Sequence, residues 1–120
     1  MTYVDGFLLP MATDKIDDYR KLAELAAGVW NEHGALDYKE CQLDDDGIEG
    51  VRSFKPAADT AAGETVIFAF ITFKSREHRD EVNARVMADP RMNEMNMDSV
   101  PFESRRMAYA GFRTIVEWQD

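Results

Sequence analysis

A chain of 120 residues with a net charge of −9 and 45% apolar content reads as a single globular domain, residues 1–120, large enough to bury a core without disulfide or metal staples. The acidic balance excludes a sequence-independent nucleic-acid binder and a binder of anionic membranes, because both need a basic surface and the one dense cationic feature is the pair Arg105-Arg106. Cys41 stands alone, which excludes an intrachain disulfide and a cysteine-built zinc site, and the opening stretch has neither a basic n-region nor the apolar length of a membrane span, so a cytoplasmic protein is expected.

Residues 3–9 alternate as a strand, with Tyr3, Asp5, Phe7 and Leu9 on one face and Val4, Gly6 and Leu8 on the other. Gly6 signals a bulge or a close approach of backbone or ligand, and Pro10 is expected to end the strand. Thr13 is placed to cap a helix over residues 14–33, in which Ile16, Tyr19, Ala23, Ala26, Trp30 and His33 recur every three or four positions. Asp14, Asp17 and Asp18 lie where the helix dipole favours negative charge, and Gly34 falls at the C′ position. Residues 35–43 form a second strand with Leu36, Tyr38, Glu40 and Gln42 on one face, and its charge suits a sheet edge. The connection 44–63 is long and turn-rich, with a short strand expected at 51–54. Its acidic run lacks the alternation of an EF-hand loop, so no metal is assigned there.

Residues 66–73 are apolar on both faces, with Val66, Phe68 and Phe70 opposed to Ile67, Ala69, Ile71 and Phe73. A half-exposed strand alternates apolar with polar residues, so both faces of this one should be covered. Ser75 then caps a helix carrying His78, Val82 and Val86 on its inner stripe, and Pro90 disfavours its continuation at Asp89. Met87, Met92, Met95 and Met97 are dense enough to suggest either a loop packed on the core or an adaptable lid over an apolar ligand. Residues 105–116 make the last strand, and the tail holding Trp118 is expected to dock on a partner. The order β-α-β, loop, β-α-β predicts an α+β, ferredoxin-like split β-α-β fold with a four-stranded antiparallel sheet, strands one and three central. Helices on one face leave the other to a second copy, which predicts a homodimer built as a dimeric α+β barrel.

Four stretches carry a family resemblance: YVDGF at Tyr3 to Phe7, VWNEHGALDYKEC at Val29 to Cys41, SREHRDEVNARVMADPRM at Ser75 to Met92, and RRMAYAGF at Arg105 to Phe112. Together they resemble the DUF1428 family of YbaA-like small bacterial proteins, with the loop 44–63 as the main departure. The resemblance implies the dimeric α+β barrel fold and assigns no activity. The wider superfamily includes cofactor-independent monooxygenases, haem-degrading enzymes and chlorite dismutase-like proteins, an analogy of fold alone. An RNA-linked name carried by some relatives conflicts with the acidic balance here.

The polar residues aimed at a space between sheet and helices are His33, Tyr38, Glu40, His78 and Tyr109, with Trp30 as an apolar wall. His33 reads as a cation at a helix C-terminus or as a general base, and His78 as a hydrogen-bonded neutral histidine or as a base in a pocket. Tyr38 and Glu40 read as an edge-strand pair or as a pair orienting a polar substrate group, and Tyr109 as barrel core. His33, Glu40 and His78 are suitable metal ligands but share no spacing motif, and no glycine-rich phosphate loop is present, so neither metal nor cofactor is assigned. Three functions follow as expectations. The first is a homodimeric small-molecule binder with a pocket for an apolar or aromatic ligand, rimmed by His78, His33 and Tyr38. The second is a cofactor-independent enzyme using a histidine base. The third is an interaction protein without a ligand.

Overall fold

The computed structural model describes residues 1–94 and 101–118. Four strands, β1 (Tyr3–Ala12), β2 (Asp37–Gln42), β3 (Glu64–Phe73) and β4 (Ala108–Arg113), form one antiparallel sheet in the order β2-β3-β1-β4. Helices α1 (Ile16–Glu32) and α3 (Arg76–Ala88) carry the long amphipathic stripes, and α2 (Phe54–Ala57) and α4 (Pro90–Glu94) are single turns. The long helices cover one face of the sheet. Leu9 and Met11 of β1, Ile67, Ile71 and Phe73 of β3, Tyr19, Ala23 and Val29 of α1, and Val82 and Val86 of α3 make that core.

Several local expectations meet a different outcome. β1 runs straight through Pro10 to Ala12. The Leu43 N–H donates to the Val66 carbonyl, so Val66 turns its polar groups towards β2, and Pro10 opposite it owes β3 no N–H. On the other side β4 stops pairing at Leu8, and the proline occupies a free edge. The register of β1 holds without a bulge at Gly6; instead the ring of Phe112 lies over that glycine, 3.0 Å from where a Cβ would stand. Thr13 does not cap α1. It sits in a 3-10 turn, Thr13–Lys15, and its backbone N–H donates to the Gly63 carbonyl at 3.0 Å.

Residues 51–54 form no strand. Ser53 caps α2, its hydroxyl accepting from the Lys55 N–H, and Pro56 fits a first helical turn where no N–H is needed. The cap on α3 is as expected, with the Ser75 hydroxyl accepting from the His78 N–H at 3.0 Å. Asp89 leaves helical geometry before Pro90, which starts α4 rather than ending in coil. Gly34 has φ +110°, the left-handed position that closes α1. Met95 and Met97, half of the methionine cluster, lie outside the described residues.

The second face of the sheet presents Val4, Leu8, Phe68, Phe70, Ala108, Ala110 and Phe112. The 44–63 connection covers its upper corner, where Phe54 meets Phe68 edge-on at 6.2 Å and Val66 is buried. The remainder is open, with Phe68 45% and Phe112 55% exposed.

Candidate functional site

The space between α1 and the sheet is not filled. Small residues on the inner stripe of α1, Ala23 and Ala26, stand back from Ala69 and Ile71 of β3 and leave a cavity of about 170 Å³. Phe7 and Leu9 of β1 form its floor, Trp30 and Leu22 of α1 its wall, and Met92, Phe102 and Met107 close it. Among the described residues its one charged lining residue is Glu40.

Glu40 reaches this space because β2 alternates: Tyr38, Glu40 and Gln42 point to the helix face while Lys39 and Cys41 point away. The Tyr19 hydroxyl, from α1, donates to Glu40 Oε1 at 2.6 Å. The Tyr38 hydroxyl donates to Oε2 at 2.7 Å. Both phenols are pushed well above the ordinary tyrosine value, first by burial and then by the charge and hydrogen bond of Glu40. Beyond this bridge lies an outer groove of about 330 Å³, walled by Ile16, Arg20, Glu24, Gln42 and Ile67 and sharing Tyr19, Ala23, Tyr38 and Glu40 with the inner cavity. The tyrosine–glutamate bridge is therefore the threshold between the two spaces. Aromatic surface surrounds it, with Trp30 6.0 Å from Tyr38 and Phe102 5.8 Å from Tyr19 between ring centroids.

A second polar network begins at the same wall. Trp30 Nε1–H donates to Asn83 Oδ1 at 3.0 Å, and the Asn83 amide donates to Asp5 Oδ2 at 3.3 Å. Asp5, 1% exposed, accepts on its other oxygen from Arg79 at 2.6 Å. The same Arg79 nitrogen donates to the Tyr109 hydroxyl at 3.0 Å, and the guanidinium lies over the Tyr3 ring.

Of the residues singled out in the sequence, Trp30, Tyr38 and Glu40 meet on the cavity wall. The histidines do not rim it. His33 closes α1 at the far end, its Nε2 2.8 Å from Asp89 Oδ2, within a cluster where Arg91 also bonds Asp89 and Glu32. Hydrogen bonds from Arg91, then from His33, hold the Asp89 carboxyl well below the usual carboxylate range. His78 Nδ1 accepts the Lys74 N–H at 2.9 Å, and its ring sits edge-on to Phe73. That hydrogen bond comes from the geometry of the helix start and occupies the nitrogen a base would need. Tyr109 stacks on Phe7 at 4.9 Å, half exposed, and faces an outer groove with Tyr3, Arg76 and Arg79 rather than the cavity. His33, Glu40 and His78 are not assembled as a ligand set, and no group of three metal-ligating side chains occurs among the described residues.

Tyr19 is the site residue that sequence reasoning passed over as plain core. A signal existed, because a phenol on a buried stripe needs a partner and Glu40 is the acceptor on the facing strand. Asp5 gave a similar signal, a carboxylate between Tyr3 and Phe7 on an apolar face.

A family model described as protein of unknown function (DUF1428) matches residues 2–104. Over 117 residues the chain is 41% identical to the protein called Uncharacterized protein YbaA of Escherichia coli (strain K12), covering 98% of this chain and 99% of that one. The same identity and coverage hold for the protein of that name from Shigella flexneri. Among solved structures, a chain titled De novo designed protein Foldit4 is similar with a TM-score of 0.45 and 8% identity, over 95% of this chain and 99% of that one.

Proposed function

The chain belongs to the DUF1428 family, and from that premise we propose that it is a homodimeric small-molecule-binding protein whose ligand occupies the cavity between the sheet and α1. One observation carries the reading. An apolar, aromatic-walled space of about 170 Å³ holds, among the described residues, a single carboxylate, fixed by two tyrosines. Ligand sites have this composition, mostly apolar walls with a few placed polar groups. An engineered apolar cavity of about 150 Å³ takes up benzene, so this one suits a single ring. The alternative of an enzyme with a histidine base gains no support from the positions of His33 and His78, neither of which lines the cavity.

The strand order and the two β-α-β crossovers support reading the chain as a ferredoxin-like split β-α-β domain. The open apolar face then supports a second copy packed sheet to sheet, the dimeric α+β barrel, with exposed Trp118 as a contact at its margin.

Trp30 reports on the cavity, and Trp118→Phe removes the chain's other tryptophan. Titrating that variant with a single-ring aromatic such as toluene should change Trp30 emission saturably. Ala26→Leu, which fills the space, should remove the response while the protein stays folded by circular dichroism. Unsaturable emission changes, together with native mass spectra free of any co-purified small molecule, would count against a binding role.

A further inference from the structure

Glu40 is a carboxylate without a cation. Both of its oxygens accept from neutral phenols, and among the described residues none of the ion pairs includes it. The nearest positive group in the outer groove, Arg20, is an exposed side chain turned to Asp17 at 3.2 Å. Glu24 of the same groove adds negative charge rather than cancelling it. A charge placed at the mouth of an apolar space is costly unless something pairs with it. Here the surrounding surface is aromatic. Trp30 lies 6.0 Å from Tyr38 and Phe102 5.8 Å from Tyr19 between ring centroids, and all four rings line the inner cavity. Aromatic faces attract cations, and an aromatic cage beside a carboxylate is the chemistry that recognises an organic ammonium.

Resting on the binding role proposed above, we infer that the cavity takes a small organic ammonium, an amine with a single-ring or similarly sized apolar body. The body occupies the inner cavity. The ammonium sits at the threshold, donating to Glu40 on the lone pairs the tyrosines leave free, against the surrounding rings. The tyrosines hold the carboxylate at the mouth and keep it from swinging into the outer groove. An anionic ligand is disfavoured by the same charge.

Three probes of one shape separate the possibilities: phenethylamine, phenethyl alcohol and phenylacetate, each titrated by calorimetry into the full chain near neutral pH. The ammonium should bind at least about tenfold tighter than the alcohol, and the carboxylate weakest. Glu40→Gln removes the charge and turns one of the oxygens that accept from a tyrosine into an NH2 group, and it should bring the ammonium and alcohol affinities to within about threefold of each other. If Glu40→Gln does not fold, Tyr19→Phe gives an independent readout: it releases one of the two hydrogen bonds that hold the carboxylate at the mouth and should lower the preference for the ammonium. Equal affinities for amine and alcohol in the unaltered protein overturn the inference and leave the binding role standing. So does a preference that survives Glu40→Gln. Failure of all three probes, with the toluene titration also silent, removes both.

Discussion

Asp5 shows what a single charged residue can demand of a fold. It lies on the core face of β1, 1% exposed, and accepts from Arg79 and Asn83 of α3, with Trp30 of α1 donating to Asn83 behind them. An unpaired buried carboxylate is strongly destabilising, whereas a pair replaced as a unit is often nearly neutral. Arg79→Met should therefore cost about 3–5 kcal/mol in denaturant unfolding, and Asp5→Asn in the same background should recover part of that loss. Additive costs for the two single changes would mean that the pair does not interact. The carboxylate was visible in the sequence as an acidic residue inside an apolar alternation. Its partner was not, because Arg79 is 74 residues away and the spacing of α3 shows only that it lies beside the inner stripe. Histidine chemistry misled for a related reason: the type of residue suggests a base, but the Lys74 N–H that occupies His78 Nδ1 is a product of the local turn.

At the scale of elements, the seam between α1 and β2 couples the site to pH. Tyr19 and Tyr38 both have folded values raised above the ordinary 10.0, so folding favours their neutral form. The stability this contributes is complete below about pH 10 and is lost as pH rises beyond it, because the unfolded chain releases those protons first. Tyrosinate absorbance should therefore show Tyr19 and Tyr38 ionising only as the circular dichroism of the fold is lost. Tyr38→Phe should cost roughly 1.5–3 kcal/mol near neutral pH, the value of a hydrogen bond to a charged group, and should flatten the alkaline decline in stability. An unchanged alkaline slope in the double Tyr19→Phe, Tyr38→Phe variant would sink this account. The elements themselves were readable where one physical rule dominated: the stripe of α1, the Ser75 cap, the alternation that puts Tyr38 and Glu40 on one face. They were misread where a rule depended on neighbours. Pro10 stops a strand only if its missing N–H is needed, and β3 does not need it there. Thr13 could cap α1, yet its hydroxyl, the group a cap would use, donates to the Gly63 carbonyl instead. Residues 51–54 have strand-like side chains, but Ser53 and Pro56 open a helical turn.

For the whole molecule, the decisive asymmetry is that helices cover one face of the sheet and, among the described residues, the 44–63 connection covers only a corner of the other. The doubly apolar β3 foreshadowed this: its core-facing residues are buried, while Phe68 on the opposite side is 45% exposed and Phe112 on β4 is 55% exposed. Rings at these positions can be solvated singly, but a contiguous apolar face built from three strands is the usual mark of an interface. Packing two such faces together would also leave β2 and β4 as the margins, where Lys39, Asp37 and Arg113 can remain in water. The chain should therefore run at twice its own mass in light scattering at micromolar concentration. Phe68→Glu and Phe112→Glu should each weaken self-association by about 30-fold or more, roughly 2 kcal/mol, with the secondary structure unchanged because neither ring belongs to the helix-side core. Their combination should yield a folded monomer, and since the cavity lies on the other side of the sheet, that monomer should still bind a single-ring ligand. A monomeric unaltered protein at tens of micromolar, or a dimer indifferent to both substitutions, would place the interface elsewhere and leave the apolar face to another partner.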